Sequence, residues 1–114
     1  MSAFEMTLLY DYYGKMLTDK QQEYIDMRYN QDLSLGEIAQ ELQVSRQGVY
    51  DNLSRAEALL RNMEEKTGCV RRSLQSRKAV ESITEAARAL LKLDDQQVTD
   101  QANRILAAVQ GLEE

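Results

Sequence analysis

The sequence predicts an all-α protein, and three observations carry that prediction. Proline is absent and glycine occurs only 5 times in 114 residues, so little interrupts helix. Ala, Leu, Gln, Glu, Lys and Arg, the residues that lose least on entering a helix, dominate the chain. A small polar residue followed three positions later by Glu or Gln recurs at Ser2–Glu5, Thr18–Gln21, Ser34–Glu37 and Asp94–Gln97. That spacing forms a capping box, in which each side chain satisfies the other residue's free amide at a helix start. The length suits one domain and is too short for two ordinary ones, so residues 1–114 are read as a single all-helical domain.

The first helix opens at Ser2. Phe4, Leu8, Tyr12 and Met16 recur every fourth residue, with Leu9 and Tyr13 beside them and Tyr10 to one side. The stripe reads as core with an amphipathic rim, or as carrying one tyrosine that anchors a partner. Thr18 opens a second helix through Tyr24, Ile25, Met27 and Arg28, which Asn30 should end.

Residues 33–60 organise the rest. After the Ser34–Glu37 box, Leu35, Ile38, Ala39 and Leu42 give a short helix with one apolar face. Gln43 and Val44 turn the chain, and Ser45 is the next N-cap. Val49, Leu53, Ala56, Leu60 and Met63 continue a second stripe, which Leu59 widens. Gly68 suits a helix C-terminus, so this helix should run about six turns. Two short-linked helices with a small residue, Ala39, at their closest approach make a helix-turn-helix, whose second helix can enter a DNA major groove. The unit is placed at residues 17–61.

Val70–Leu93 reads as a fifth helix with Val80, Ile83, Ala87 and Leu90 as its stripe, widened by Ala79, Ala86, Leu91 and Leu93. Asp94 should cap a sixth, carrying Val98, Ala102, Ile105, Val109 and Leu112 with Leu106 and Ala108 on its flank. These two form a helical hairpin over residues 68–114, with Glu113 and Glu114 frayed. The hairpin has more apolar width than one partner helix covers. Ile83, Leu90, Leu91 and Leu106 are therefore the candidate face of a homodimer, the hairpin serving as a dimerisation arm.

The order Leu17-Thr18, Arg28-Tyr29, Leu33-Ser34-Leu35, Glu37-Ile38-Ala39, Leu42, Val44-Ser45-Arg46, Val49 and Leu53 resembles region 4 of bacterial sigma factors, the domain that reads the promoter −35 element. The run Leu8–Gly14 (LLYDYYG) and the run Ser45–Asn52 (SRQGVYDN) narrow the resemblance to the YlxM family of small helix-turn-helix proteins, over about Phe4 to Leu91. That family is typically encoded beside the signal recognition particle GTPase. The resemblance thus implies a role in protein targeting, through gene neighbourhood and not through any residue. It also implies a sigma-like helix-turn-helix without a wing.

Composition excludes several function classes. Histidine is absent, which removes a His-based metal site or general base. There is no Gly-rich phosphate loop, no Cys/His ligand spacing and no Ser/His/Asp set. The expectation is a non-enzyme with no catalytic residues, metal or cofactor. The lone Cys69 cannot make an internal disulfide and fits a reducing cytoplasm. No apolar run approaches the roughly 20 residues that cross a bilayer, and the N-terminus has no signal-peptide pattern, so membrane insertion is not expected.

Charge divides the two functional readings. Residues 1–67 carry 7 basic and 12 acidic side chains, and residues 68–114 carry 7 of each. A DNA-binding domain usually has a basic footprint. Residues 17–61 instead carry 5 basic and 8 acidic side chains, and sigma region 4 commonly has extra cations where this chain has Tyr50, Asp51 and Asn52. One reading is a DNA-binding regulator with Ser45–Arg55 as recognition helix. Arg46, Gln47, Tyr50, Asp51, Ser54 and Arg55 are its candidate contacts, Arg46 and Gln47 placed to reach base edges. A monomer of this charge should bind DNA weakly. The favoured reading is an accessory protein of the signal recognition particle pathway, its acidic face meeting a basic protein or ribonucleoprotein. Arg71, Arg72, Arg77 and Lys78, the most basic window in the chain, are the candidate RNA or acidic-partner contact.

Overall fold

The computed structural model describes residues 2–113. It contains α1 (Ala3–Tyr13), a 3₁₀ turn (Gly14–Met16), α2 (Asp19–Ile25) continued by a π-helical turn (Asp26–Asn30), α3 (Leu35–Leu42), α4 (Arg46–Thr67), α5 (Cys69–Leu90) and α6 (Gln96–Glu113). No strand occurs among the described residues. The expected fraying of Glu114 lies outside them. The chain divides into two compact units, one ending at Val70 and the other beginning at Arg71.

Helix starts in the first unit follow the caps. Thr18 and Ser34 form complete capping boxes with Gln21 and Glu37. At Ser2 the hydroxyl accepts from the Glu5 amide at 3.1 Å. Ser45 Oγ accepts from the Gly48 amide at 3.0 Å and starts α4. Between α3 and α4 the chain turns through Gln43 in the left-handed region (φ 57°), and the Val44 amide returns to the Ala39 carbonyl at 3.0 Å. This bond satisfies a carbonyl that α3 leaves open. α4 runs 22 residues and ends at Gly68, whose φ of 62° suits glycine.

α4 is the post of this unit, with α1, α2 and α3 all packed on it. Val49, Leu53, Ala56 and Leu60 are buried as the spacing predicts, against Ile38 and Ala39 of α3 and Tyr24, Ile25 and Met27 of α2 and its π turn. Fully burying one such aliphatic side chain contributes about 1.5–3 kcal/mol.

α1 departs from the expected pattern. Its buried residues are Met6, Leu9 and Tyr13, whereas Phe4 and Met16 are 71% and 73% exposed and Tyr12 is exposed as well. At about 100° per residue, Phe4, Leu8 and Tyr12 share one side of the helix, while Met6, Leu9 and Tyr13, at spacings of three and four, share a different side, the one that packs. Met16 also lies past the break at Gly14.

The second unit holds the body of α5, a turn, and α6. α5 stops at Leu90, so Leu91 and Leu93 belong to the connection. The cap of α6 is Asp95 and not Asp94: the Asp95 carboxylate accepts from the Gln97 and Val98 amides at 2.9 and 3.3 Å. Only Asp94 has Gln three positions on, at Gln97, but the turn places the adjacent Asp95 at the helix start, where it caps without a reciprocal Glu or Gln. Ala87, Ala102 and Val109 are buried here. Ile83, Leu90, Leu91 and Ile105 are exposed, and Leu106 is half-buried.

Candidate partner-binding face of the helix-turn-helix

The first two turns of α4 position the expected contact residues. Arg46 does not stand free of the protein. Its guanidinium lies across Gly36 on the first turn of α3, where a Cβ would come within 2.8 Å of Nη2. Glycine at 36 therefore leaves room for the arginine side chain to fold back. Gln47 donates from Nε2 to Asp51 Oδ1 at 3.0 Å, one turn along the same helix. Both residues are exposed, so the middle of this face shows an amide already committed to a carboxylate. Tyr50 is 56% exposed, Arg55 is exposed and Ser54 is half-buried.

These positions bear unequally on the two readings. A glutamine reads adenine by offering donor and acceptor together. Here one of its two N–H donors bonds Asp51, and Asp51 places negative charge where a phosphate-rich groove would sit. An exposed tyrosine such as Tyr50 is the type of group that anchors protein interfaces.

The flank of α4 is stiffened by a buried-edge network. The Tyr29 hydroxyl donates to Glu57 Oε1 in a short hydrogen bond, and Arg28 Nη1 donates to the Leu33 carbonyl at 3.0 Å. Burial, then the bond to Glu57, pushes the Tyr29 phenol up to about 12. Asp26, in the same π turn, accepts from the Asn30 and Gln31 side-chain amides at 2.8 Å each, which holds its carboxyl below the usual range. Glu37 is lowered too, first by the Ser34 backbone amide and then by the Ser34 side chain.

In the second unit, Arg71, Arg72, Arg77 and Lys78 are all exposed on α5. Arg77 lines a cleft of about 610 Å³ with Ser73, Ser76, Val80, Glu81 and Leu112. Ile83, Leu90 and Leu91 of the candidate dimer face are exposed, whereas Ile105 is more open than Leu106.

Leu59, whose spacing suggests the buried stripe, is 39% exposed. It lines a groove of about 510 Å³ with Gln21, Arg55, Ala58 and Asn62. The signal was present in the outer side of α4, where Arg55, Leu59, Asn62 and Lys66 recur at four, three and four. Among the described residues, no group of three or more His, Cys, Asp or Glu is placed to hold a metal ion. No helix among them is long and apolar enough to cross a membrane.

An all-helical unit in which a capped short helix, a left-handed turn and a longer helix expose the second helix's first turns is a helix-turn-helix protein. The chain belongs to the UPF0122 family, described as "Putative helix-turn-helix protein, YlxM / p13 like", whose model matches residues 2–105. A UPF0122 protein of Caldanaerobacter subterraneus subsp. tengcongensis is 55% identical over 80 residues, 70% of this chain and 68% of the relative. One of Thermoanaerobacter sp. is 61% identical over 67 residues, 59% and 57% of the two chains. One of Bacillus cereus is 36% identical over 108 residues, 95% and 94% of the two chains.

Proposed function

We propose that this protein is a non-enzymatic accessory factor of the signal recognition particle pathway, acting in the cytoplasm by binding and not by catalysis. Its helix-turn-helix face engages a basic protein or ribonucleoprotein. The observation that carries this reading is the Gln47–Asp51 bond at the middle of that face. It engages one of the two N–H donors of a residue suited to base reading and fixes a carboxylate beside it. The acidic balance of residues 1–67 favours a cationic partner in the same sense. Arg71, Arg72, Arg77 and Lys78 supply the complementary contact to RNA phosphates.

The pathway assignment rests on the family's typical gene neighbourhood, and the mode of action rests on the residues. The reading includes a homodimer through the second unit. Two helices alone leave Ile83, Leu90 and Leu91 uncovered, and a second copy of the same face covers them across a two-fold axis.

A pull-down from cytoplasmic extract, with nuclease treatment in one arm, tests the proposal. Recovery of targeting-particle proteins in both arms is the expected result. Recovery of RNA polymerase and DNA, lost on nuclease treatment, would support the alternative of a transcriptional regulator reading DNA through Ser45–Arg55.

A further inference from the structure

α5 carries charge on one side only. Across residues 75–90 its charged side chains are Arg77, Lys78, Glu81, Glu85 and Arg88. At about 100° per residue they fall within an arc of about 100°. Ser76, Ala79, Ile83, Ala86 and Leu90, at spacings of three and four, occupy the opposite side, and all are exposed in the described chain. On α6, Ile105, Ala108 and Leu112 share an arc of about 60° and are exposed as well. The seam between the two helices uses other residues. Ala87, Ala102 and Val109 are buried there, and Val80, Thr84 and Leu106 are half-buried. A cleft of about 400 Å³ fixes which outer sides of the two helices coincide: Arg88 of α5 and Gln110 of α6 line it together, beside Thr84 and Val109 of the seam. Ile83 and Ile105 each stand five residues before these two, about 140° round their helices, so both look out of the hairpin's other side.

We infer that this uncharged side of the hairpin packs on the same side of a second copy, closing the two helix pairs into an antiparallel four-helix bundle. The inference rests on the homodimer proposed above and assigns its surface. Ala79, Ile83, Ala86 and Leu90 of α5 act with Ile105, Ala108 and Leu112 of α6, while Leu106 stays in the seam. Residues 76–90 span about 21 Å and two adjacent helices about 20 Å, so the face has a plan of roughly 400 Å². An apolar patch of that size is commonly an interaction site. Two corrugated faces of this plan bury on the order of 1,000 Å² together, about what a specific interface needs. Small and large side chains alternate along Ala79, Ile83, Ala86 and Leu90, which lets two such faces interdigitate. A face without cations gains nothing from phosphates, which argues against nucleic acid. It also offers no charge for a different protein to match, whereas a two-fold axis requires only that the face complement itself.

Sedimentation equilibrium of the full chain at micromolar concentration reads the dissociation constant, and circular dichroism reads helix content. Ala86→Lys and Ala108→Lys each put a cation on the face without removing a packed side chain, since both alanines are exposed. Each should weaken the dimer by about tenfold or more with helix content kept. Glu85→Lys, one residue away but on the charged side of α5, should leave the constant unchanged. If a lysine variant loses helix, Ala86→Gln or Ala108→Gln takes its place and should also weaken the dimer. A parent dimer that survives both lysine variants would overturn this surface and leave the homodimer standing. Equal weakening by Glu85→Lys would overturn it too, because charge and not position would then be at work. A parent mass near 13.1 kDa across the range would remove the homodimer and this surface with it.

Discussion

Tyr13 and Glu64, 51 residues apart in sequence, are joined by a hydrogen bond of 2.6 Å from the phenol to the carboxylate. The same Glu64 Oε1 accepts from the Val70 amide at 3.0 Å, so one carboxylate ties the end of α1 and the tail of α4 to the first turn of α5. The Thr67 hydroxyl shares the Tyr13 oxygen at 2.6 Å. Burial, then the Glu64 bond, raises the Tyr13 phenol above its ordinary value.

Tyr13→Phe should therefore destabilise the protein by about 1.5–3 kcal/mol, the range for a hydrogen bond to a charged group. Glu64→Ala should cost at least as much, because it also frees the Val70 amide. Urea unfolding followed by circular dichroism measures both. A Tyr13→Phe midpoint equal to the parent's would show that the bond contributes nothing.

Ile38→Asp or Leu53→Asp should unfold the first unit. Ile38 is fully buried and Leu53 nearly so, with no cation placed to pair with a carboxylate there. An unpaired buried carboxylate costs several kcal/mol, a large part of the total stability of a small domain. Cooperative melting near the parent temperature would refute the assigned core.

Stability should fall at both ends of the pH range. Asp26 and Glu37 titrate below their ordinary values of 3.8 and 4.5 in the folded state, so the unfolded chain takes up protons first. Their contribution is complete above about 4.5 and is lost as pH falls through the lowered folded-state values. Tyr29 titrates at about 12 against an ordinary 10.0, so its contribution is complete below 10 and is lost as pH rises toward 12. Tyr10 and Tyr13 are raised as well, chiefly by burial. Tyr29→Phe should thus shrink the alkaline loss without abolishing it, read as melting temperature against pH. A parent melting temperature unchanged from pH 10 to about 12 would contradict this.

Binding to random duplex DNA should be weak near physiological salt, with a shallow salt slope, because few phosphates are neutralised. Fluorescence anisotropy measures it. If an operator is nevertheless bound tightly, Arg46→Ala and Gln47→Ala should relax specificity while Arg55→Ala weakens all sequences alike. That outcome would reverse the order of the two functional readings.

Sedimentation equilibrium at micromolar concentration should show a dimer. The second unit exposes Ile83, Leu90, Leu91, Leu93, Ile105 and Leu112, and a contiguous patch of such side chains seldom stays open on a monomer. Leu91→Glu should dissociate the dimer with helix content largely kept, since Leu91 lies in the turn after α5. A mass near 13.1 kDa across the range would refute it.

Local chemistry made much of this protein legible. A cap joins residues two or three apart, so Thr18, Ser34 and Ser45 marked their helices whatever packs above them. The α3 and α4 stripes were equally plain, because polar residues on their other faces leave one side to bury. α1 has apolar residues on most sides, and only the arrival of α4 and α2 decides that Met6, Leu9 and Tyr13 turn inward while Phe4 and Met16 stay in water. For the same reason Leu59, which its spacing suggests is core, lies at the edge of a groove beside α2. Arg46 and Gln47 could be placed on the exposed face from spacing. That Arg46 folds onto Gly36 depends on the angle between two helices, and that Gln47 bonds Asp51 depends on a rotamer choice. Helix starts are set within a few residues of chain, whereas the choice among competing apolar faces and the aim of a polar side chain are set by whichever neighbour the fold brings alongside.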